Sequence, residues 1–220
     1  MYLVQKIWKG LWKTYEVGES PNITHKLWEA CETGDLDKVK YLVSLGANPR
    51  SKTALFGACM NEHIEVVKYL VSMGTDVHAM DDLALNLVCG KGNLELVKYL
   101  DSVGANTNRS VSPIARASEN GHLEVIKYLI SRGADFKSAS IRVACMNGHL
   151  EVVKYLVSIG ADFRDKDDYP FIVACMNGHL EVVKYLVSLG LDPHMKDNLA
   201  LRWAKNNGHL EVVKYLNSQD

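Results

Sequence analysis

Ala144–Ser158 reads ACMNGHLEVVKYLVS, and Ala174–Ser188 repeats it without a change. Outward from this pair, weaker copies of the phrase fill the chain. Each carries Lys-Tyr-Leu at the same point, with tyrosines at Tyr41, Tyr69, Tyr99, Tyr128, Tyr155, Tyr185 and Tyr215. The intervals are 28, 30, 29, 27, 30 and 30 residues. Such a period marks a solenoid, whose units bury their apolar faces only against their neighbours. Function in such an array is sought on an extended surface rather than in one pocket.

The sixth copy shows how one unit is built. Asp168 suits a helix cap, and Pro170 in the first turn gives up no backbone donor the helix needs. Phe171, Ala174 and Cys175 recur at i, i+3 and i+4, a helical apolar face. Gly178 stands where that helix needs a left-handed stop. His179 to Ser188 predicts a second helix, with Leu180, Val183, Leu186 and Val187 on its buried side. Glu181 and Lys184 form an outward i,i+3 pair, worth about 0.2–0.5 kcal/mol. Each unit is therefore two short antiparallel helices and a connector.

Counting back from the glycine slot keeps the copies in phase. Cap candidates ten residues earlier are Thr24, Asp82, Ser138, Asp168 and Asn198, with Thr53 and Ser112 one residue late in the second and fourth copies. The slot holds Gly34, Gly92, Gly121, Gly148, Gly178 and Gly208, with Glu62 the exception. A side chain there costs about 1 kcal/mol if the backbone stays left-handed, so local irregularity is expected in the second unit. Three residues before the slot stand Cys31, Cys59, Cys89, Cys145 and Cys175. Stacked units about 10 Å apart exceed the reach of a disulfide, about 7 Å between Cα atoms. These are core thiols.

Composition narrows the function classes. The 220 residues are 47% apolar, with a formal charge of -1 and a pI near 6.7. Such a balance gives no basic field for nucleic acid. No stretch approaches the roughly 20 apolar residues of a membrane span. Lys6, Lys9 and Lys13 interrupt any signal-peptide core. A cytoplasmic, monomeric protein without cofactor or metal is expected.

Segments such as Asn147-Gly-His-Leu-Glu-Val-Val-Lys-Tyr-Leu-Val-Ser-Ile-Gly-Ala-Asp162 resemble the second half of an ankyrin repeat. The Lys-Tyr-Leu-Val-Ser variant is similar to ankyrin arrays encoded by giant DNA viruses of amoebae. The resemblance implies an all-α, ankyrin-type solenoid of about seven helix-turn-helix units over residues 24–220. The units run 24–50, 51–80, 81–110, 111–137, 138–166, 167–196 and 197–220, after an N-terminal segment, 1–23. It also implies a protein partner, held on the concave face that first helices line. Family units run near 33 residues; these are shorter, and the usual Gly-x-Thr-Pro-Leu-His opening survives only faintly at Ser112-Pro113-Ile114 and Tyr169-Pro170-Phe171. Stunted β-hairpin fingers are expected, most of all at Gly133 to Ser140.

The remaining motifs argue against catalysis. No HExxH, Walker loop, GxSxG, GxGxxG or paired CxxC occurs, and each of these carries a specific chemistry. His63, His122, His149, His179 and His209 follow the glycine slot, one per unit and too far apart to share a metal at about 2 Å per bond. Their expected work is to start the second helix and hydrogen-bond across the turn. His78-x-x-Asp81 and His194-x-x-Asp197 read as solvated turns, and the tyrosine column as packing along the spine. Leu3, Ile7, Trp8, Leu11, Trp12 and Tyr15 form an amphipathic stripe. That stripe caps the first repeat or, as the alternative reading, docks on a membrane surface or a partner.

Positions that differ between copies are freed from the common packing task. Six residues before the glycine slot the copies hold Trp28, Phe56, Asn86, Ala115, Arg142, Ile172 and Arg202. Two residues before it stand Glu32, Met60, Gly90, Glu119, Met146, Met176 and Asn206. The i,i+4 relation puts each pair on one face of the first helix. Arginine and aromatics are enriched at binding hot spots, and methionine adapts to varied partners. Candidate partner-binding residues are therefore Phe56, Met60, Asn86, Arg142, Met146, Ile172, Met176 and Arg202.

Overall fold

A computed structural model describes residues 21–106, 113–136 and 138–219. Fourteen helices, and no strand, occur among the described residues. They form two compact units, one closing at Asp76 and the other opening at Val77. The N-terminal stripe, Leu3 to Tyr15, lies outside the described residues.

The first unit contains α1 (Pro21–Thr33), α2 (Leu36–Ser44), α3 (Lys52–Met60) and α4 (Ile64–Ser72). The second contains α5 (Ala79–Lys91), α6 (Leu94–Ser102), α7 (Pro113–Glu119), α8 (Leu123–Ser131), α9 (Ser138–Met146), α10 (Leu150–Ser158), α11 (Asp165–Met176), α12 (Leu180–Ser188), α13 (Met195–Asn206) and α14 (Leu210–Asn217). Within each unit, first helices stack on first helices, and every first helix packs on its own second helix. The core runs between the layers through Leu27, Cys31, Leu55 and Leu70 in the first unit and Leu96, Ile126, Leu156 and Phe171 in the second.

The second helices are uniform because their sequence is. Each outward Glu–Lys pair that the phrase predicts is formed in the last three copies, at 2.8 Å for Glu151–Lys154 and Glu181–Lys184 and 2.7 Å for Glu211–Lys214. The buried side differs by a position from the sequence expectation. In α12 it is Val182, Val183 and Leu186 that are buried, whereas Leu180 and Val187 keep partial exposure. The helix is wedged between its own first helix and the neighbouring second helices. Adjacent valines therefore both find cover, which a single-stripe pattern cannot show.

Helix starts depart further. The predicted caps Asp82, Asp168 and Asn198 lie inside α5, α11 and α13, each with left-handed backbone at φ 57, 64 and 60. Asp and Asn tolerate that region because their short polar side chains bond locally. Asp82 Oδ1 accepts from the Asn106 N–H at 3.2 Å and pairs with His78 Nδ1 at 2.9 Å. His194 Nδ1 likewise meets Asn198 Oδ1 at 2.6 Å. Both histidines thus reach the fourth residue on, one beyond the Asp81 and Asp197 that the spacing singled out. Similarly α1 starts at Pro21, so the predicted break through Pro21 and Asn22 is helical and Thr24 is buried within the helix.

The histidine column is the main joint between copies. His149 Nε2 donates to the Glu119 carbonyl of the preceding copy at 2.9 Å, and His179 Nε2 to the Met146 carbonyl at 2.8 Å. His63, His122 and His209 reach Glu32, Gly90 and Met176 carbonyls in the same way. The bond therefore runs to the neighbouring copy, not across the residue's own turn. Each ring also lies flat on the neighbour's slot glycine, where a Cβ on Gly121 would stand 2.6 Å from His149 Nδ1. The histidine is spent on that joint, and none of the five makes a side-chain cap to its own helix. By contrast Asp35 caps α2 and Asn93 caps α6 through their side chains.

Two expectations about columns are resolved here. Glu62 adopts the left-handed slot at φ 63, and α4 that follows has the same nine-residue extent as α8, α10 and α12. The second copy is therefore regular, because the cost of about 1 kcal/mol is small beside its buried core. The tyrosines also have a use beyond packing. Lys40, Lys98 and Lys127 each lie over the ring of the next copy's tyrosine, at 6.0 Å from Tyr69, 5.7 Å from Tyr128 and 5.9 Å from Tyr155.

All five cysteines are free and buried. Burial pushes the thiols of Cys31, Cys59 and Cys145 from 9.0 up to about 12, and raises Cys89 and Cys175 as well. A folded-state value above the unfolded one stabilises the fold below the unfolded value, and that contribution is lost as pH rises toward the folded value. Thermal stability is therefore expected to fall above about pH 9, by roughly 1 kcal/mol per thiol per pH unit. Melting curves followed by circular dichroism check this, and Cys145→Ala should flatten the slope. A wild-type Tm that holds steady from pH 9 to 10.5 would contradict it.

Candidate functional site

The candidate residues divide between the two units. In the first unit, Phe56 is only 8% exposed and Met60 is partly exposed, both on α3. Trp28 of the same column turns toward α3, its Nε1 lying 3.1 Å from where Gly57 would carry a Cβ. The column six before the slot is therefore partly consumed between copies. In the second unit, Asn86 is 4% and Ile172 6% exposed, so these too are buried. Arg142 is partly exposed and Arg202 exposed.

The column two before the slot behaves differently. Glu32, Met60, Gly90, Glu119, Met146, Met176 and Asn206 all keep solvent access. Their backbone carbonyls at Glu32, Gly90, Glu119, Met146 and Met176 take the histidine bonds. The main chain thus serves the joint while the residue keeps its solvent-facing side. That division explains why this position varies in sequence without disturbing the stack.

Neighbouring first helices of the second unit bring part of the candidate set together. Met146 on α9 and Met176 on α11, helices packed on each other, are both partly exposed, and the buried Ile172 stands one turn before Met176. The Arg142 guanidinium lies 5.8 Å over the Tyr169 ring. Tyr169, 39% exposed, stands three residues before Ile172 and seven before Met176, on the same helical face. The column comparison left Tyr169 out because it stands nine residues before Gly178, outside the two columns compared. Its signal was the faint Tyr169-Pro170-Phe171 opening, which places an aromatic at the helix start.

Among the described residues no group of three or more His, Cys, Asp or Glu is arranged to hold a metal ion. Nor is any described helix long and apolar enough to cross a membrane.

An array of paired helices, joined copy to copy and presenting variable side chains on one helix layer, defines a repeat scaffold. The profile of ankyrin repeats (3 copies) matches residues 15–81, 80–140 and 141–220. The chain belongs to the ankyrin-repeat family, whose members are generally protein–protein interaction modules. Among solved structures it is similar to the human ASB11 ankyrin repeat domain, with a TM-score of 0.73 and 24% identity. That match covers 86% of this chain and 96% of the other, and it concerns the fold alone. No curated protein matches the sequence.

Proposed function

We propose that this chain is a non-catalytic adaptor that holds a protein partner on the concave, first-helix face of its ankyrin array. The observation carrying this is the division of labour between columns. The repeated residues are engaged between copies, through the histidine joint, the buried cysteines and the lysine–tyrosine contacts. The variable column two before the slot stays accessible in every copy, and Arg142, Met146 and Met176 supply residue types suited to recognition. The similarity of the Lys-Tyr-Leu-Val-Ser unit to arrays of giant DNA viruses supports a viral, host-directed role in the host cytoplasm.

A tagged pulldown from the native cell tests this, comparing wild type with Arg142→Glu/Met146→Glu/Met176→Glu. The expected result is a partner lost from the triple variant while circular dichroism stays unchanged. A partner kept by that variant but lost on deleting residues 1–17 would overturn the concave-face reading. It would transfer function to the N-terminal stripe.

A further inference from the structure

We propose that the occupant of the second unit's first-helix face is a short acidic segment with apolar side chains between its carboxylates. This rests on the adaptor reading and specifies its ligand. The patch is largely apolar, with Met146 on α9 and Tyr169, Met176 and the buried Ile172 on the adjoining α11. Arg142 on α9 and Arg202 on α13 flank it on either side. Neither guanidinium makes an ion pair among the described residues. By contrast Arg116 on α7 is already neutralised by Glu119 at 3.0 Å.

Along these first helices the acids stand apart in sequence from the two arginines. α9 (Ser138–Met146) contains none, and on α11 and α13 the acids stand at the helix starts, at Asp165, Asp167, Asp168 and Asp197. The downstream turns of α9, α11 and α13 carry only positive or neutral residues. A binder without negative charge would leave both guanidiniums uncompensated as it excluded water, and leaving charges so is costly. A carboxylate over each would instead make charge-assisted, bidentate bonds.

Spacing sets the length of the segment. Arg142 and Arg202 are separated by two helix-to-helix steps, roughly 20 Å. An extended chain spans that in about six residues, with apolar side chains between the acids meeting the methionines. A nucleic-acid backbone fits less well. Its charge is continuous, whereas Tyr169–Met176, the stretch of α11 between the two arginines, offers Ile172 and Met176 and no cation.

The test displays random peptides of about ten residues, long enough to cover that span, and selects them on the full chain. Wild type is expected to enrich acidic–apolar peptides. Arg142→Glu/Arg202→Glu is expected to bind those peptides at least tenfold more weakly and, in a fresh selection, to enrich basic ones. Enrichment that ignores charge and is lost only with Met146→Ala/Met176→Ala overturns the acidic segment while leaving the adaptor face standing. Enrichment unaffected by either pair overturns the site itself. No enrichment at all, or tight binding of a short thymidine oligonucleotide abolished by Arg142→Glu/Arg202→Glu, overturns the inference too. Circular dichroism confirms that each variant is folded.

Discussion

Gly121→Ala is expected to destabilise the array by on the order of 3 kcal/mol, a large effect for one methyl group. Gly121 sits at φ 78, and its added Cβ would stand 2.6 Å from His149 Nδ1. Left-handed strain contributes about 1 kcal/mol and the clash about 1–3 kcal/mol. If the ring yields, the bond from His149 Nε2 to the Glu119 carbonyl, 2.9 Å long, goes with it. Adding His149→Asn should relieve part of this loss, because asparagine needs no room over the glycine and can cap its own helix, as Asn93 does. A urea-unfolding double-mutant cycle should give a favourable coupling of about 1–2 kcal/mol. Strict additivity would show that glycine and histidine are not one joint.

Leu156→Ala is expected to cost roughly 2–5 kcal/mol. Leu156 is 0% exposed in α10, in the fifth of the seven copies, so copies on both sides lose cover. Stability in such arrays is a sum over units and nearest-neighbour interfaces, and weakening one unit should divide unfolding into more than one step. Hydrogen exchange read copy by copy would show protection lost first around α10 and α11. A loss under 1 kcal/mol, or a single unchanged transition, would contradict the register assigned to the second helices.

The two variants probe features of different legibility. Leu156 recurs in a helical pattern across the copies, so its burial follows from spacing alone. The Gly121–His149 joint was visible only in part. Both columns stood out, yet nothing in one copy says that the imidazole is used by the copy before it. The same blindness affected the caps. Asp82, Asp168 and Asn198 drew notice as polar residues at the right distance from the glycine. Their use in a left-handed turn depends on where the connector meets the next copy, and His78 and Asn106 supply partners for Asp82 that the sequence leaves apart.

The candidate face was legible to the same degree. Variation between copies located the column two before the slot, where every residue keeps access. It also selected Phe56, Asn86 and Ile172, which neighbouring helices bury, and it passed over Tyr169, which only the cation–π stack with Arg142 brings into the patch.

By itself the sequence determined the number and phase of the copies and the two helices within each. Those follow from local periodicity, from left-handed stops and from apolar faces that recur within one unit's length. Tertiary structure alone decided which of the variable side chains remain open to a partner, and which carbonyl each histidine takes. Those depend on contacts some thirty residues away in the chain, between His149 and Glu119 or Arg142 and Tyr169, and are set only when one copy is laid against the next.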